Sequence, residues 1–115
     1  MDLVRFYAEI GGDSAAARGR FGSDALLEKF ILKFGADQSF EELEQALAAG
    51  DGETAFRAAH TLKGVCLNLG FGNLYEAVAP LTERLRGRKC DGCEVLFAKV
   101  KTEYGRLMKA IGRLG

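Results

Sequence analysis

The stretch DGETAFRAAHTLKGVCLNLG, residues 51–70, decides the fold and contains the single histidine of the chain, His60. On a helical wheel its inward apolar residues fall within roughly 40° of the side opposite this histidine; they are Ala55, Ala58, Leu62, Val65 and Leu69. Asp51 is suited to cap the start of such a helix, and Gly70 to end it. The segment therefore predicts a long amphipathic helix with His60 on its solvent face.

The segments before residue 51 follow the same helical spacing. A short helix with Leu3, Phe6, Tyr7 and Ile10 on one face is predicted to close at Gly11 and Gly12. Residues 13–22 are predicted to form a connector with at most one turn around residues 15–17. Ser23 then caps a helix that runs to Gly35. Ser39 and Glu42 match a capping box that opens the next helix, which ends at Gly50.

Two further helices are predicted after residue 70, from Gly72 to Leu85 and from about Gly92 to Ile111. Pro80 lies inside the first of them and is expected to kink or restart it, since proline cannot donate the helical hydrogen bond. Connections this short favour antiparallel neighbours. The sequence thus predicts an all-α fold, an up-down-up-down antiparallel four-helix bundle with a short additional N-terminal helix.

Composition limits what such a bundle can do. The 115 residues suffice for a single domain, taken as residues 1–115, and the 16 basic and 16 acidic residues cancel. A chain with no net charge lacks the field that holds nucleic acid or an anionic membrane. It also contains no apolar run of the roughly 20 residues that a membrane helix needs and no signal-peptide pattern. The expectation is a cytoplasmic monomer without nucleic-acid or membrane partners.

The solvent face around His60 combines residue types that are unfavourable unless something binds there. Gly64 in a helix interior costs about 0.8 to 1 kcal/mol relative to alanine. Exposed Phe56 and Leu67 would form an apolar patch of the kind that marks a contact surface. Lys63 and Arg57 lie about 60° from the histidine, and Lys63, one turn along the helix, would meet negative charge on it. The combination predicts a docking surface centred on the imidazole.

Each of these residues also has a simpler interpretation. A lone histidine or lysine on a helix is usually an ordinary solvated side chain, and Gly64 could be a helix-packing contact. Leu67 could be covered by the short N-terminal helix. The functional interpretation depends on the coincidence of all of them on one face.

The run Ala59-His60-Thr61-Leu62-Lys63-Gly64, followed by Asn68-Leu69-Gly70, resembles the signature of histidine phosphotransfer (HPt) domains, the helical carriers of multistep phosphorelays. The resemblance extends over nearly the whole chain through Arg20-Phe21-Gly22, Leu27, Phe34, Ala46, Gly50-Asp51, Leu74, Leu81 and Arg86. It implies that His60 accepts and donates a phosphoryl group, that Lys63 supports this group, and that Gly64 admits the partner.

The partners implied by the resemblance are response-regulator receiver domains, a hybrid histidine kinase, or both. A receiver holds an aspartyl phosphate, and a neutral imidazole nitrogen can attack it. The Mg²⁺ and most of the charge stabilisation are expected on the receiver, so no cofactor is expected in this chain. Phe56, Arg57 and Leu67 are the predicted docking residues, and Phe6 and Ile10 of the N-terminal helix are added as candidates. The alternative for Leu3, Phe6, Tyr7 and Ile10 is that they simply cap the bundle.

The chain departs from the family pattern after Leu81. Many relatives have glutamate there, where this chain has Thr82, so the residue that orients the imidazole is left unassigned.

The Cys90-Asp91-Gly92-Cys93 segment lacks two further ligands for zinc and the βαβ context of a thioredoxin motif. No metal site is expected, and the two cysteines are interpreted as incidental thiols, with a reversible loop disulfide as the alternative.

Two other classes of function, a kinase and an adaptor, fit the sequence less well. A kinase would need an ATP-binding domain, and the chain has neither the length nor a glycine-rich phosphate loop. The predicted protein is therefore a phosphoryl carrier and no autonomous enzyme. A non-phosphorylated adaptor that docks receivers or other signalling partners is equally consistent with the predicted packing. Such an adaptor would not need the imidazole between Lys63 and an exposed glycine.

Overall fold

The computed structural model describes residues 2–114. Its helices are α1 (Leu3–Glu9), α2 (Ser14–Phe21), α3 (Asp24–Phe34), α4 (Ser39–Ala49), α5 (Gly52–Leu69), α6 (Gly72–Arg84) and α7 (Glu94–Leu114), with a 3₁₀ turn at Leu85–Gly87 after α6. No strand occurs among residues 2–114, so the prediction of an all-α fold is confirmed. Within the same residues, no helix is both long and apolar enough to cross a membrane.

Helices α4 to α7 surround the main core. Helix α5 packs between α4 and α6, and α6 packs on α7. Helix α7 also contacts α4, because the Phe40 ring stacks on Tyr104 at a centroid distance of 4.0 Å and on Phe97 at 5.6 Å. Leu62 of α5 and Val78 of α6 are fully buried between these helices. Each such side chain stabilises the fold by about 1.5 to 3 kcal/mol, which fixes the rotation of α5 and hence the direction in which its polar face points.

The N-terminal helices are attached to the C-terminal end of α5. The Arg20 side chain donates through Nη1 to the carbonyl oxygens of Leu67, at 2.8 Å, and Asn68, at 2.6 Å. The backbone amide of Asn73 donates to the carbonyl oxygen of Ile10 at 3.1 Å. A helix leaves its last carbonyls without internal donors, and these contacts supply some of them. The Arg20 bonds thereby join α2 to α5, the helix that carries His60, and the Asn73 bond joins the end of α1 to the start of α6.

Residues 13–22 are a helix, and their prediction as a connector is wrong. The Asp13 side chain caps α2 by accepting a hydrogen bond from the Ala16 amide at 3.2 Å, and Gly22 ends the helix in the left-handed conformation. Ala17 is the one residue of α2 that is buried. A helix that buries a single alanine shows almost no apolar periodicity, which is the signal on which the prediction depended.

Three details of the later helices also differ from prediction. Ser39 is the first residue of α4 and makes no capping box; its amide donates to the Asp37 carboxylate at 2.8 Å. Helix α6 runs through Pro80 without restarting, because this proline is exposed and water can bond to the carbonyl left without a donor. Helix α7 begins at Glu94 and extends to Leu114, whose side chain is buried.

Candidate functional site

His60 lies on the exposed face of α5, as the wheel predicts. One turn earlier on the same helix, the Phe56 ring lies 5.9 Å from the imidazole, centroid to centroid, at an interplanar angle of 40°. The buried face of α5 comprises Ala55, Ala58, Ala59, Leu62, Cys66 and Leu69, which hold the helix against the core. The imidazole is therefore accessible on a rigid element, which suits a group that must be reached by another protein.

Gly64 leaves open space beside this imidazole. A Cβ built at this position would have no neighbour within 4 Å. The alternative that Gly64 is a helix-packing glycine is therefore wrong, because no other helix approaches it. Because Gly64 has no side chain, a second molecule can come close to the helix backbone one turn from His60.

Positive charge reaches the site from α5 and from the segment after α6. Lys63 is partly exposed on α5, and Arg57 is exposed. Arg86 donates to both carboxylate oxygens of Glu83, through Nε at 3.1 Å and Nη2 at 2.7 Å. These hydrogen bonds hold the pKa of the Glu83 carboxyl below its usual range, and the nearby Lys63 ammonium lowers it further. Glu83 thus offsets part of the charge on this face.

The aromatic ring of Phe56 is covered by two guanidinium groups. The Arg88 Cζ lies 3.9 Å from the ring centroid and the Arg86 Cζ lies 5.6 Å from it. These three side chains share an open groove with residues of α5; its lining comprises Phe56, Arg57, His60, Thr61, Arg86 and Arg88. Sequence reasoning gave Arg88 and Glu83 no place in the site. The basic run from Arg84 to Lys89, at the end of a predicted helix, was a signal for Arg88, whereas no such signal pointed to Glu83.

The predicted apolar patch is smaller than expected. Phe56 is only partly exposed because the arginines cover it. Leu67 is 55% exposed, so the alternative that the N-terminal helix covers it is wrong. The N-terminal segment reaches the backbone of Leu67 through Arg20 and leaves its side chain free.

Phe6 and Ile10 do not lie on a docking surface, and their prediction as partner-binding residues is corrected by the structure. Phe6 is 3% exposed and Ile10 is 4% exposed. The Phe6 ring packs edge-on against Tyr7, at a centroid distance of 5.1 Å, and against Phe71, at 6.2 Å. Both residues close the end of the bundle, as in the alternative interpretation, because α1 is short and turns its whole apolar face inward.

The structure brings no metal-ligating cluster together in the part of the chain that it describes, residues 2–114. Cys66, Cys90 and Cys93 are free thiols. Burial raises the pKa of the Cys66 thiol to about 12, and burial is also the main cause of the raised pKa values of Cys90 and Cys93. A raised thiol pKa lowers the thiolate fraction that metals and oxidants react with.

Residues 26–110 match the family model of the Hpt domain. The chain belongs to the Hpt domain family. The matched range includes His60, Lys63 and Gly64 and leaves α1 and α2 of this Hpt domain outside. Comparisons with curated proteins and with solved structures gave no match.

Membership of the family gives the general function. Hpt domains are histidine phosphotransfer modules of two-component systems, and they interact with receiver domains and histidine kinases in phosphorelays. They act as phosphocarriers rather than as enzymes. The exposed imidazole of this Hpt domain, with open space on one side and arginines on the other, is the group on α5 that fits such a role.

Proposed function

We propose that His60 of this Hpt domain accepts a phosphoryl group from the aspartyl phosphate of a receiver domain and passes it to the aspartate of another receiver. The observation that carries the proposal is the exposed imidazole one turn from a glycine with no neighbour within 4 Å. A receiver must bring its phosphorylated aspartate within bonding distance of a helix side chain, and a bulky neighbour on that helix would obstruct it.

The chemistry requires only a nucleophile from this chain. The lone pair of a neutral ring nitrogen of His60 attacks the phosphorus atom, and a P–N bond forms while the P–O bond to aspartate breaks. The aspartate leaves as a carboxylate, and the proton on the other ring nitrogen stays in place. Transfer to the second receiver follows the same path in reverse. Mg²⁺ is proposed to be bound by the receiver, since carboxylate clusters are the sites that Mg²⁺ prefers.

The charges around His60 fit an anionic partner. Three phosphoryl oxygens carry the charge during transfer, and a receiver active site contributes carboxylates as well. Lys63 and Arg57 lower the repulsion between these groups and the surface of the Hpt domain. Leu67 adds exposed apolar surface to the contact, with the uncovered part of Phe56 at its other end. The result is a docking surface with a nucleophile and without a complete active site.

The proposal also covers the topology of the bundle, the cellular compartment and the oligomeric state of the domain. We propose that α4 to α7 form an up-down-up-down antiparallel bundle, supported by the short connections between them and by the contact of α7 with α4. Since receivers and histidine kinase catalytic domains act in the cytoplasm, the domain is proposed to act there, as a monomer that binds one receiver at a time.

The test is transfer from a phosphorylated receiver. Purified receiver domains carrying labelled aspartyl phosphate are mixed with the wild-type domain and with His60→Gln. We expect acid-labile, base-stable label on the wild type and none on the variant, whose unfolding midpoint in urea stays unchanged because His60 is exposed. Label on His60→Gln, or unfolding of that variant, would contradict the proposal. Receivers that bind without transferring label would show instead that the domain is a docking adaptor.

A further inference from the structure

We propose that Arg88 binds the phosphoryl group carried by His60. The inference rests on the proposed function, because it concerns the same imidazole after transfer. Arg88 lies outside the helices, at the first residue after the 3₁₀ turn Leu85–Gly87, and lines the groove that contains His60. Its backbone, its side chain and its charge each point to this role.

The backbone of Arg88 is held in an unfavourable conformation. Its φ is +63°, and among residues 2–114 it is the one residue other than glycine with a positive φ. A side chain in the left-handed region costs roughly 1 kcal/mol or more, whereas glycine adopts it freely. This part of the turn packs closely on α5, since a Cβ on Gly52 at the start of α5 would lie 1.9 Å from the carbonyl oxygen of Arg88. The chain therefore places an arginine where glycine would be more stable.

The Arg88 side chain extends from this turn over the site. The Arg88 amide donates to the Leu85 carbonyl oxygen at 2.8 Å, which closes the turn. Its side chain then crosses Phe56, with Cζ at 3.9 Å from the ring centroid. Phe56 in turn lies one helical turn from His60, and their ring centroids are 5.9 Å apart. The ring thus supports the guanidinium at one end of the groove that the imidazole occupies.

The charge of Arg88 has no carboxylate partner in the part of the chain that the structure describes. The neighbouring Arg86 forms an ion pair with Glu83 at 2.7 Å, while Arg88 donates one hydrogen bond, to the Arg86 carbonyl oxygen. A guanidinium has five N–H groups in a planar fork that matches the oxygens of a phosphoryl group. Arg57 also lines the groove without an ion pair in the described part of the chain, but Arg88 is the one of the two whose guanidinium lies over Phe56 and is free to bind an anion beside the imidazole.

Phosphorylation of His60 supplies such an anion. The phosphoryl group adds negative charge and three acceptor oxygens at the imidazole. Because Arg88 and His60 line one groove and both contact Phe56, the N–H groups of Arg88 are the donors that we propose for these oxygens. Arg88 makes or breaks no covalent bond; it stabilises the phosphorylated state, and this shifts the transfer equilibrium toward His60.

The test uses a chemical donor, so that it does not depend on a receiver. Phosphoramidate phosphorylates the wild-type domain and the variants Arg88→Gln, Arg88→Gly and Lys89→Gln; the histidine nitrogen attacks phosphorus and ammonia leaves. The pH titration of the ³¹P signal then gives the pKa of the phosphoryl group. The partition of label between the domain and a receiver at equilibrium gives a second readout. Lys89→Gln is the matched control, since Lys89 is exposed, has the same charge and does not line the groove.

A bound guanidinium favours the doubly charged phosphoryl group and lowers its pKa. We expect this pKa to be about 0.5 higher in Arg88→Gln and Arg88→Gly than in wild type, and the label on His60 at equilibrium to fall severalfold. Lys89→Gln should change both by much less. Glycine adopts the left-handed conformation freely, so the urea midpoint of Arg88→Gly should equal or exceed that of wild type and show that the effect is not a loss of folding.

Two results would overturn the inference while leaving the carrier function intact. One is a phosphoryl pKa in both Arg88 variants equal to that of wild type. The other is an equal change in Lys89→Gln, which would show only the general field of the basic segment. If neither phosphoramidate nor any receiver places label on His60, the proposed function is wrong, and the role of Arg88 is wrong with it.

Discussion

The Tyr7 hydroxyl donates a 2.6 Å hydrogen bond to the backbone carbonyl oxygen of Leu69 and so joins α1 to the last turn of α5. Tyr7 is 1% exposed. Burial raises the pKa of its hydroxyl to about 12, against a smaller lowering by Arg20. A residue outside the range matched to the Hpt family thus binds the helix that carries the imidazole.

This contact makes stability fall at alkaline pH. The pKa of Tyr7 is about 12 when folded and near 10 when unfolded, so the unfolded chain releases the proton first. The contribution to stability is complete below pH 10 and is lost as the pH rises toward 12. We expect the free energy of unfolding to drop by about 1 kcal/mol between pH 9 and pH 11 through this residue alone.

The control is Tyr7→Phe, measured by urea denaturation across the same range. Loss of the buried hydrogen bond should destabilise the variant by about 1 to 2 kcal/mol at neutral pH. Cys66 and Tyr104 also have raised pKa values, and both remain in the variant, so the difference between the two proteins isolates Tyr7. Identical pH profiles would show that Tyr7 is not the titrating group.

Gly52→Ala is expected to destabilise the domain by about 2 kcal/mol. The added methyl group would lie 1.9 Å from the Arg88 carbonyl oxygen and 2.9 Å from the Lys89 nitrogen, which are backbone atoms and cannot rotate away. The measurement is the urea midpoint. A variant as stable as wild type would show that the turn after α6 can move away from α5.

Gly64→Gln should have the opposite effect on stability and slow phosphoryl transfer. Glutamine in a helix interior is favoured over glycine by about 0.5 kcal/mol, and the site has room for it. The side chain would project beside His60, and we expect transfer from a receiver to slow by about tenfold or more because docking is obstructed.

Gly105→Gln is the matched control for this prediction. Gly105 lies inside α7 and also has no neighbour within 4 Å of a built Cβ. It should show the same gain in stability and an unchanged transfer rate. Equal phosphoryl-transfer rates in the two variants would show that Gly64 does not provide the space through which the partner approaches.

Phe6→Ala and Leu67→Ala distinguish core from docking surface. Phe6 is 3% exposed, and its truncation should cost about 3 to 5 kcal/mol of stability. Leu67 is 55% exposed, and its truncation should change stability by no more than about 0.5 kcal/mol while weakening receiver binding severalfold. Urea denaturation and a binding titration with a receiver separate the two effects. An unweakened affinity in Leu67→Ala would place the docking surface elsewhere.

The sequence was most informative where one helix face is continuously apolar. The period of Ala55, Ala58, Leu62 and Leu69 is long enough to fix both the existence of α5 and the outward direction of His60, and the structure agrees at each position. The open space at Gly64 could also be anticipated, because a glycine inside a strong helical period has few structural explanations.

The remainder of the site depends on contacts between distant segments. Arg88 lies over Phe56 from a turn after α6 that packs on Gly52, and no local pattern encodes these contacts. The burial of Phe6 and Ile10 was undecided in the sequence for a related reason. An amphipathic pattern predicts which residues are buried, but the tertiary fold determines which helix packs against them.

The bonds from Arg20 and Tyr7 to the end of α5 all end on carbonyl oxygens of the main chain. Main-chain atoms are the same whichever side chain a position carries. The side chains of Leu67 and Asn68 are exposed and take no part in these bonds. Mutation can therefore alter this part of the proposed docking surface without loosening the N-terminal helices. Attachment and recognition can evolve independently at the same two residues.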